Sequence, residues 1–254
     1  MKDESGNLNE MLQRALKAQV ELGLGGMIVD SKTLTVAETD METPTETTFN
    51  SEVEVVDMFA GTGPTLGLPQ YESLEQHRED INECHLCPLA ESRTNFVYGA
   101  GNSDAELMFV GEAPGRDEDL RGEPFVGRAG KLLDKILAAM EMSREQVYIS
   151  NILKCRPPGN RDPQPDEMEK CFPYLKEQIR LIRPKVLCAL GRIAAQALLD
   201  TKKPLGRLRG EWHKIEGVPM LVTYHPAALL RFPAYKADVW KDMQMIMARL
   251  QDKQ

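Results

Sequence analysis

The sequence predicts an α/β protein, a three-layer α/β/α sandwich around a four-stranded, mainly parallel sheet, preceded by a disordered or partly helical N-terminal extension. Three observations predict it. Short apolar runs recur at 107–111, 147–152, 186–190 and 220–224, with helical-period stretches between and after them at 128–141, 166–182, 191–200 and 236–251. Such strand–helix alternation feeds a parallel sheet. The runs are apolar throughout rather than alternating, as strands covered on both faces require. The third observation is a change of composition near residue 71.

Residues 1–70 hold 4 Lys+Arg and 12 Asp+Glu, a net charge of −8, whereas residues 71–254 balance 27 basic against 27 acidic residues. The acidic total of the 254-residue chain therefore belongs to the extension. It does not argue against a nucleic-acid partner for the remainder. Within the extension, Leu8, Met11, Leu12, Ala15, Leu16 and Val20 follow helical spacing. Asn7 can cap a helix over 7–22, with Glu10 three residues on, and Gly23 and Gly25 can stop it. That helix is a candidate docking element for a protein partner, or a weak helix on a solvated tail. Residues 31–70 contain nine Thr, seven acidic residues and one Lys without a sustained period, and read as a flexible linker. Residues 71–254 form the second division, beginning with a helical stretch at 71–83.

At 42% hydrophobic and 28% charged residues, fully disordered, fibrous and collagen-like classes are excluded. No apolar run approaches the roughly 18–20 residues that span a bilayer, and the N-terminus MKDESGNLNE has no apolar signal region. The expectation is a cytoplasmic monomer with no membrane association. Five cysteines in that compartment suit metal binding better than disulfides. Cys84 and Cys87 form a CxxC, Cys155 and Cys171 are separated by 15 intervening residues, and Cys188 sits in the apolar run KVLCAL as an inert core residue. Four thiolates can hold zinc or an iron–sulfur cluster. The second pair is too widely spaced for a zinc knuckle, which favours [4Fe–4S]. His85, inside the CxxC, reads as solvent-facing.

In open parallel sheets the ligand site lies at the carboxyl ends of the strands. Three segments meet that demand. GEAPGRDEDLRGEPFVGRAG at 111–130 follows the first run and brings Glu112, Ala113, Pro114, Glu118 and Phe125. Its small residues allow close backbone approach, but it holds neither a phosphate-binding GK[ST] nor a dinucleotide GxGxxG. Phe125 is a candidate stacking platform, although alone it reads as core. VYISNILKCRPPGNR at 147–161 ends its strand on Asn151, whose amide can read a base edge presenting both a donor and an acceptor, or simply tie down a loop. TYHPAALLRFPAYK at 223–236 places His225 after the fourth run. Leu229 and Leu230 stand beside Arg231 on an expected loop, an apolar wedge flanked by a cation. The first turn of an ordinary helix is the competing reading.

Together, GEAPG, PFVGRAG, NILKCRPPGNR, HPAALLR and the four cysteines resemble the iron–sulfur uracil-DNA glycosylases of family 4, over about 180 residues from Leu74 onward. The resemblance implies a [4Fe–4S] cluster on Cys84, Cys87, Cys155 and Cys171, and hydrolysis of the N-glycosidic bond of uracil in DNA. It implies that Glu112, Ala113 and Pro114 line the uracil pocket, Phe125 stacks on the base, and Asn151 reads it. Glu118 stands at the pocket mouth and His225 in the second catalytic motif. Ala113 replaces the Gly of some members. PFVGRAGKLLDKIL lacks the basic, His-containing insertion of a related family that captures uracil covalently, so turnover is expected.

Such an enzyme must flip its target base from the helix. Leu229 or Leu230 would fill the gap, with Arg156, Arg161, Arg207, Arg209, Arg231 and Lys236 on phosphates. Asn151 would donate to O4 and accept from N3–H, while His225 and backbone N–H groups stabilise charge at O2. Glu118 is the expected wall against the methyl of thymine. Glu118, Asn151 and His225 form the catalytic expectation. The cluster is expected to be architectural. The competing function is a non-catalytic iron–sulfur DNA-binding or redox-sensing module, which has no need of Phe125, Asn151 and His225 in one place.

Overall fold

A computed structural model describes residues 71–252. The expected helix at 7–22 and the linker at 31–70 lie outside the described residues. The centre is a six-stranded sheet in the order β1-β3-β2-β4-β6-β5. Its strands are β1 (Ala100–Gly101), β2 (Leu107–Gly111), β3 (Tyr148–Asn151), β4 (Val186–Leu190), β5 (Trp212–Ile215) and β6 (Val218–Thr223). The four inner strands β3, β2, β4 and β6 are parallel, in agreement with the expected four, and all residues of β2, β3 and β4 are buried. The edges differ from the expectation: β1 and β5 each pair antiparallel to their neighbour.

β5 and β6 form a hairpin closed by Glu216 and Gly217, both at positive φ (47° and 82°), as the tight primed turns require. β5 is half-buried with alternating exposure, so it lacks the continuous apolar run that marks the inner strands. β1 is only two residues long.

The pleat of the inner strands divides their side chains between two cores. Met108 and Val110 of β2 face one side, with Leu187 and Ala189 of β4. Leu107 and Phe109 face the other, with Val186, Cys188 and Leu190. Cys188 is fully buried in β4, the inert place expected for it. The first face is covered by α1 (Leu74–Ile81), α5 (Pro165–Ile182) and α6 (Arg192–Leu198), and the second by α4 (Arg128–Ala139) and α8 (Tyr235–Gln251). α5 begins in a capping box of Gln164 and Glu167 with Pro165 in its first turn, and buries Cys171, Tyr174, Leu175, Gln178, Ile179 and Ile182 at helical spacing. α4 starts at Gly127 and buries Leu132, Leu133, Ile136 and Leu137.

Three short helices lie outside the helical stretches expected from the sequence: α2 (Leu89–Ser92), α3 (Arg116–Arg121) and α7 (Pro226–Arg231). α7 corrects the expected loop after His225: Pro226 occupies a first-turn position, where its missing N–H costs nothing. Among the described residues no helix is long and apolar enough to cross a membrane.

Candidate active site

The carboxyl ends of β2, β3 and β6 open on one cavity of about 240 Å³. Glu112, Ala113, Pro114, Glu118, Phe125, Asn151 and His225 all line it, so the expected pocket residues meet in space across more than a hundred positions of sequence. Gly115, Ala129, Pro157, Asn160 and Ala227 line it too. The sequence offered no side-chain chemistry to single these out, because they contribute shape and backbone.

Asn151 ends β3 and is buried, and its Oδ1 has no hydrogen-bond partner among the described residues. A Cβ at Gly111, opposite it on β2, would collide with that oxygen and with the Phe125 ring. The glycine at the strand end is therefore what lets amide and ring approach each other. An unpaired buried acceptor is costly, and a site that holds one is arranged for an incoming donor.

Phe125 adopts a left-handed backbone (φ 54°), which non-glycine residues avoid. Its carbonyl explains how that strain is held. Arg144 donates from Nη2 to the Phe125 carbonyl and from Nη1 to the Pro124 carbonyl at 3.1 Å, and a Cβ at Gly130 would overlap the Phe125 carbonyl. The Phe125 ring lies 5.5 Å from that of His225, tilted by 33°. Glu118 Oε1 accepts from the N–H groups of Val126 and Gly127, each at 2.9 Å, and so ties α3 to the start of α4 just beyond Phe125. Buried Asp119 fastens α3 on its other side, accepting from Thr94 N and Thr94 Oγ1 at 2.8 Å each.

His225 is the N-cap of α7, and its Nδ1 accepts from Ala227 N at 3.1 Å. A neutral ring accepting at Nδ1 carries its proton on Nε2. Burial lowers the His225 pKa from 6.5 to about 4, opposed by the charge of Glu118, so the ring is neutral at physiological pH. Glu112 is perturbed the other way. Burial, then the charge of Asp162, raises it to about 7, with Arg192 opposing.

Cys84, Cys87, Cys155 and Cys171 line a second, smaller cavity, with Arg93, Phe96 and Tyr174. Cys155 and Cys171 are buried, and none of the four is in a disulfide. Arg93 Nη1 reaches Cys155 Sγ at 3.5 Å, Tyr174 Oη donates to Cys84 Sγ at 3.3 Å, and Lys154 N donates to Cys171 Sγ at 3.3 Å. Among the described residues no three His, Cys, Asp or Glu side chains converge closely enough to share one ion. Four thiols spread around a cavity suit a group with one thiolate per corner better than a single tetrahedral ion, and N–H and O–H donors to the sulfurs complete the fit. His85 is exposed. Lys154, unremarked in the sequence, is fully buried and links the two cavities. Its Nζ donates to the Asn151 carbonyl at 2.8 Å, Ser150 Oγ at 2.7 Å and Gln178 Oε1 at 2.7 Å.

The expected DNA contacts divide. Leu229 is 1% exposed and belongs to the core, whereas Leu230 is 46% exposed, so only Leu230 is placed to act as a wedge. Arg209 is corrected: its guanidinium pairs with buried Asp242 at 3.0 Å and lies over the Tyr224 ring at 5.1 Å, which makes it an internal anchor. Arg156 bonds Asn160 Oδ1 at 2.7 Å, and Arg161, at the pocket edge, pairs with Glu167. Arg207 and Arg231 are exposed.

Comparison with known proteins bears on the same residues. The family model described as the Uracil DNA glycosylase superfamily matches residues 98–244, a span that contains every residue lining the first cavity. The chain is similar to the type-4 uracil-DNA glycosylase of Archaeoglobus fulgidus, 48% identical over 183 residues, covering 69% of this chain and 92% of that one. It is likewise similar to the type-4 uracil-DNA glycosylases of Saccharolobus solfataricus, 42% identical over 72% of this chain and 88% of the relative, and of Pyrobaculum aerophilum, 43% identical over 68% and 92%. With a family match over more than half of its length and relatives covered almost end to end, the chain belongs to the uracil DNA glycosylase superfamily, among its type-4 members.

Proposed function

We propose that the chain removes uracil from DNA by flipping the nucleotide out of the helix and hydrolysing its N-glycosidic bond in the cavity between Phe125, Asn151 and His225. The observation that carries this assignment of roles is the buried Asn151 Oδ1, without a partner among the described residues. Uracil supplies the missing donor at N3–H, and its O4 accepts from the amide Nδ2. Cytosine reverses both groups and leaves buried polar atoms unpaired, at about 1–3 kcal/mol each. The base stacks on Phe125, whose strained backbone is fixed before the ligand arrives. Glu118, immobilised by Val126 and Gly127, stands at the pocket mouth as the wall against the thymine methyl.

The bond breaks as negative charge grows on the departing base. His225, neutral and protonated at Nε2, donates to O2 together with nearby main-chain N–H groups, as an oxyanion hole does. Water adds to the sugar carbon as the base leaves. Glu112, a carboxyl on the same cavity, orients that water. Among the described residues no lysine lines the cavity, and the Nζ of Lys154 is buried on three acceptors, so no amine is placed to attack the sugar and the enzyme is monofunctional.

A [4Fe–4S] cluster on Cys84, Cys87, Cys155 and Cys171 supplies architecture, tying the segment before β1 to the loop after Asn151. The substrate is uracil-containing DNA, bound by a monomer with Leu230 as wedge and Arg156, Arg161 and Arg231 near phosphates. A non-catalytic module is disfavoured because it gives no reason for an unpartnered amide beside a strained phenylalanine and a neutral histidine.

Incubation with a uracil-containing oligonucleotide followed by alkali tests the reading: breakage at uracil supports it, and an intact strand with brown, iron-replete protein refutes it. Asn151→Asp is expected to lower uracil excision by about 10²-fold or more, from the loss of the amide donor at O4. Unchanged turnover removes Asn151 from base recognition.

A further inference from the structure

α7 leads from the pocket to an exposed apolar pair. His225 and Ala227 line the cavity, and the six-residue helix ends about 9 Å further along its axis, beside Leu230 and Phe232. Phe232 is 57% exposed, among the most exposed large hydrophobic residues described. A single exposed phenylalanine is common on protein surfaces, but this one stands two residues from exposed Leu230, on the chain that leaves the pocket through α7.

Phe232 is also braced. Its ring lies 5.7 Å from that of Tyr235. Tyr235 stacks on Tyr224 with centroids 4.2 Å apart and planes within 4°. Arg209 covers Tyr224 at 5.1 Å and is locked by Asp242, which also accepts from Thr223 Oγ1 at 2.6 Å. Tyr224 immediately precedes His225. A ladder of three rings therefore connects the exposed phenylalanine to the backbone that carries the catalytic imidazole. Arg209 caps the inner end of that ladder.

We propose that Phe232 is a nucleobase-stacking residue: its ring receives an unpaired base flanking the flipped uracil, while Leu230 occupies the space the uracil leaves. This rests on the reading of the cavity as a uracil site. Any base offers a π-face to an aromatic ring, so the contact adds affinity without adding sequence preference. Opening the helix beside uracil exposes such faces on both strands. Because the ring is prepositioned by Tyr235 and Tyr224, little side-chain freedom is lost on contact.

The test compares wild type, Phe232→Ala and Phe232→Trp on single-stranded and duplex uracil oligonucleotides. Phe232→Ala is expected to raise KM about 10-fold with kcat within about twofold, and Phe232→Trp to restore KM. A 2-aminopurine beside a non-cleavable uracil analogue is quenched on binding wild type, and that quenching is lost in Phe232→Ala. The melting temperature stays unchanged, as removal of a largely exposed ring requires. A KM rise on single strands places the base on the uracil-bearing strand, and a rise on duplex alone places it on the complement. Unchanged KM and quenching on both substrates overturn the proposal. Failure of wild type to cleave either substrate instead refutes the active-site reading, so the two failures are distinguishable.

Discussion

Burial keeps the His225 ring uncharged, the state its proposed role as a donor to O2 requires. Its pKa falls from 6.5 to about 4, so between those values the folded chain binds fewer protons than the unfolded one. Its contribution to stability is complete above about pH 6.5 and is lost as pH falls through about 4. His77, buried and hydrogen-bonded through Nδ1 to Tyr98 Oη, is lowered to about 4 as well and acts in the same window. His225→Gln is expected to weaken the dependence of urea midpoint on pH between 4 and 6.5 without abolishing it, since His77 remains. The same variant should lose about 10²–10³ in kcat, the usual effect of removing one oxyanion donor. Glu112 carries the opposite sign. Burial raises it to about 7, so the folded state holds its proton more tightly and this contribution fades as pH rises from about 4.5 to 7. Water orientation needs the ionised form, so kcat/KM is expected to rise with pH through about 7, and Glu112→Gln should lower the rate and flatten that limb. A pH profile unchanged by the substitution excludes Glu112 from the step.

At the scale of elements, the site is made by where strands stop. β2 ends at Gly111 and β3 at Asn151, which pair with each other in register, and the space a side chain would occupy on the first is filled by the amide and the Phe125 ring. Gly111→Ala is therefore expected to displace Asn151 or Phe125 and reduce kcat/KM at least 10-fold. Its core is otherwise untouched, so folding should persist with a loss of about 1–3 kcal/mol, the usual range for overpacking. Equal activity with the alanine would show that the strand end has room to spare. The inner strands and the long helices α4, α5 and α8 were legible because their apolar period is long and continuous. The hairpin strand β5 was not, since WHKI is half-exposed and owes its place to pairing with β6 rather than to its own pattern. Glu216–Gly217 was the signal available for it. The segment after His225 hides its helix in the sequence, because Pro226 suggests a break, although proline in a first turn starts a helix as readily as it ends one.

In the whole molecule, four cysteines from three separate segments, the chain before β1, the loop after β3 and α5, line one cavity, and the proposed cluster would fasten those segments together. Burial raises the Cys171 thiol to about 12, so binding of the proposed cluster would have to displace its proton. Cys155→Ser is expected to lose the brown colour and iron, and to lower the melting temperature by several degrees. Activity should fall in parallel, because Lys154 joins this loop to the Asn151 carbonyl. Retention of full iron content by Cys155→Ser refutes the ligand assignment. The α/β class, the four inner strands and the cysteine set were legible in residue order, since periodicity and spacing are local properties, and the candidate pocket residues followed from the family resemblance of the motifs. That Leu229 is core and Leu230 surface, and that Arg209 is held by Asp242 rather than facing outward, follows from packing alone. Packing likewise buries Lys154 fully and leaves the Asn151 Oδ1 without a partner among the described residues. Burial and pairing depend on which distant segments arrive at the same place, and a local pattern carries no record of that.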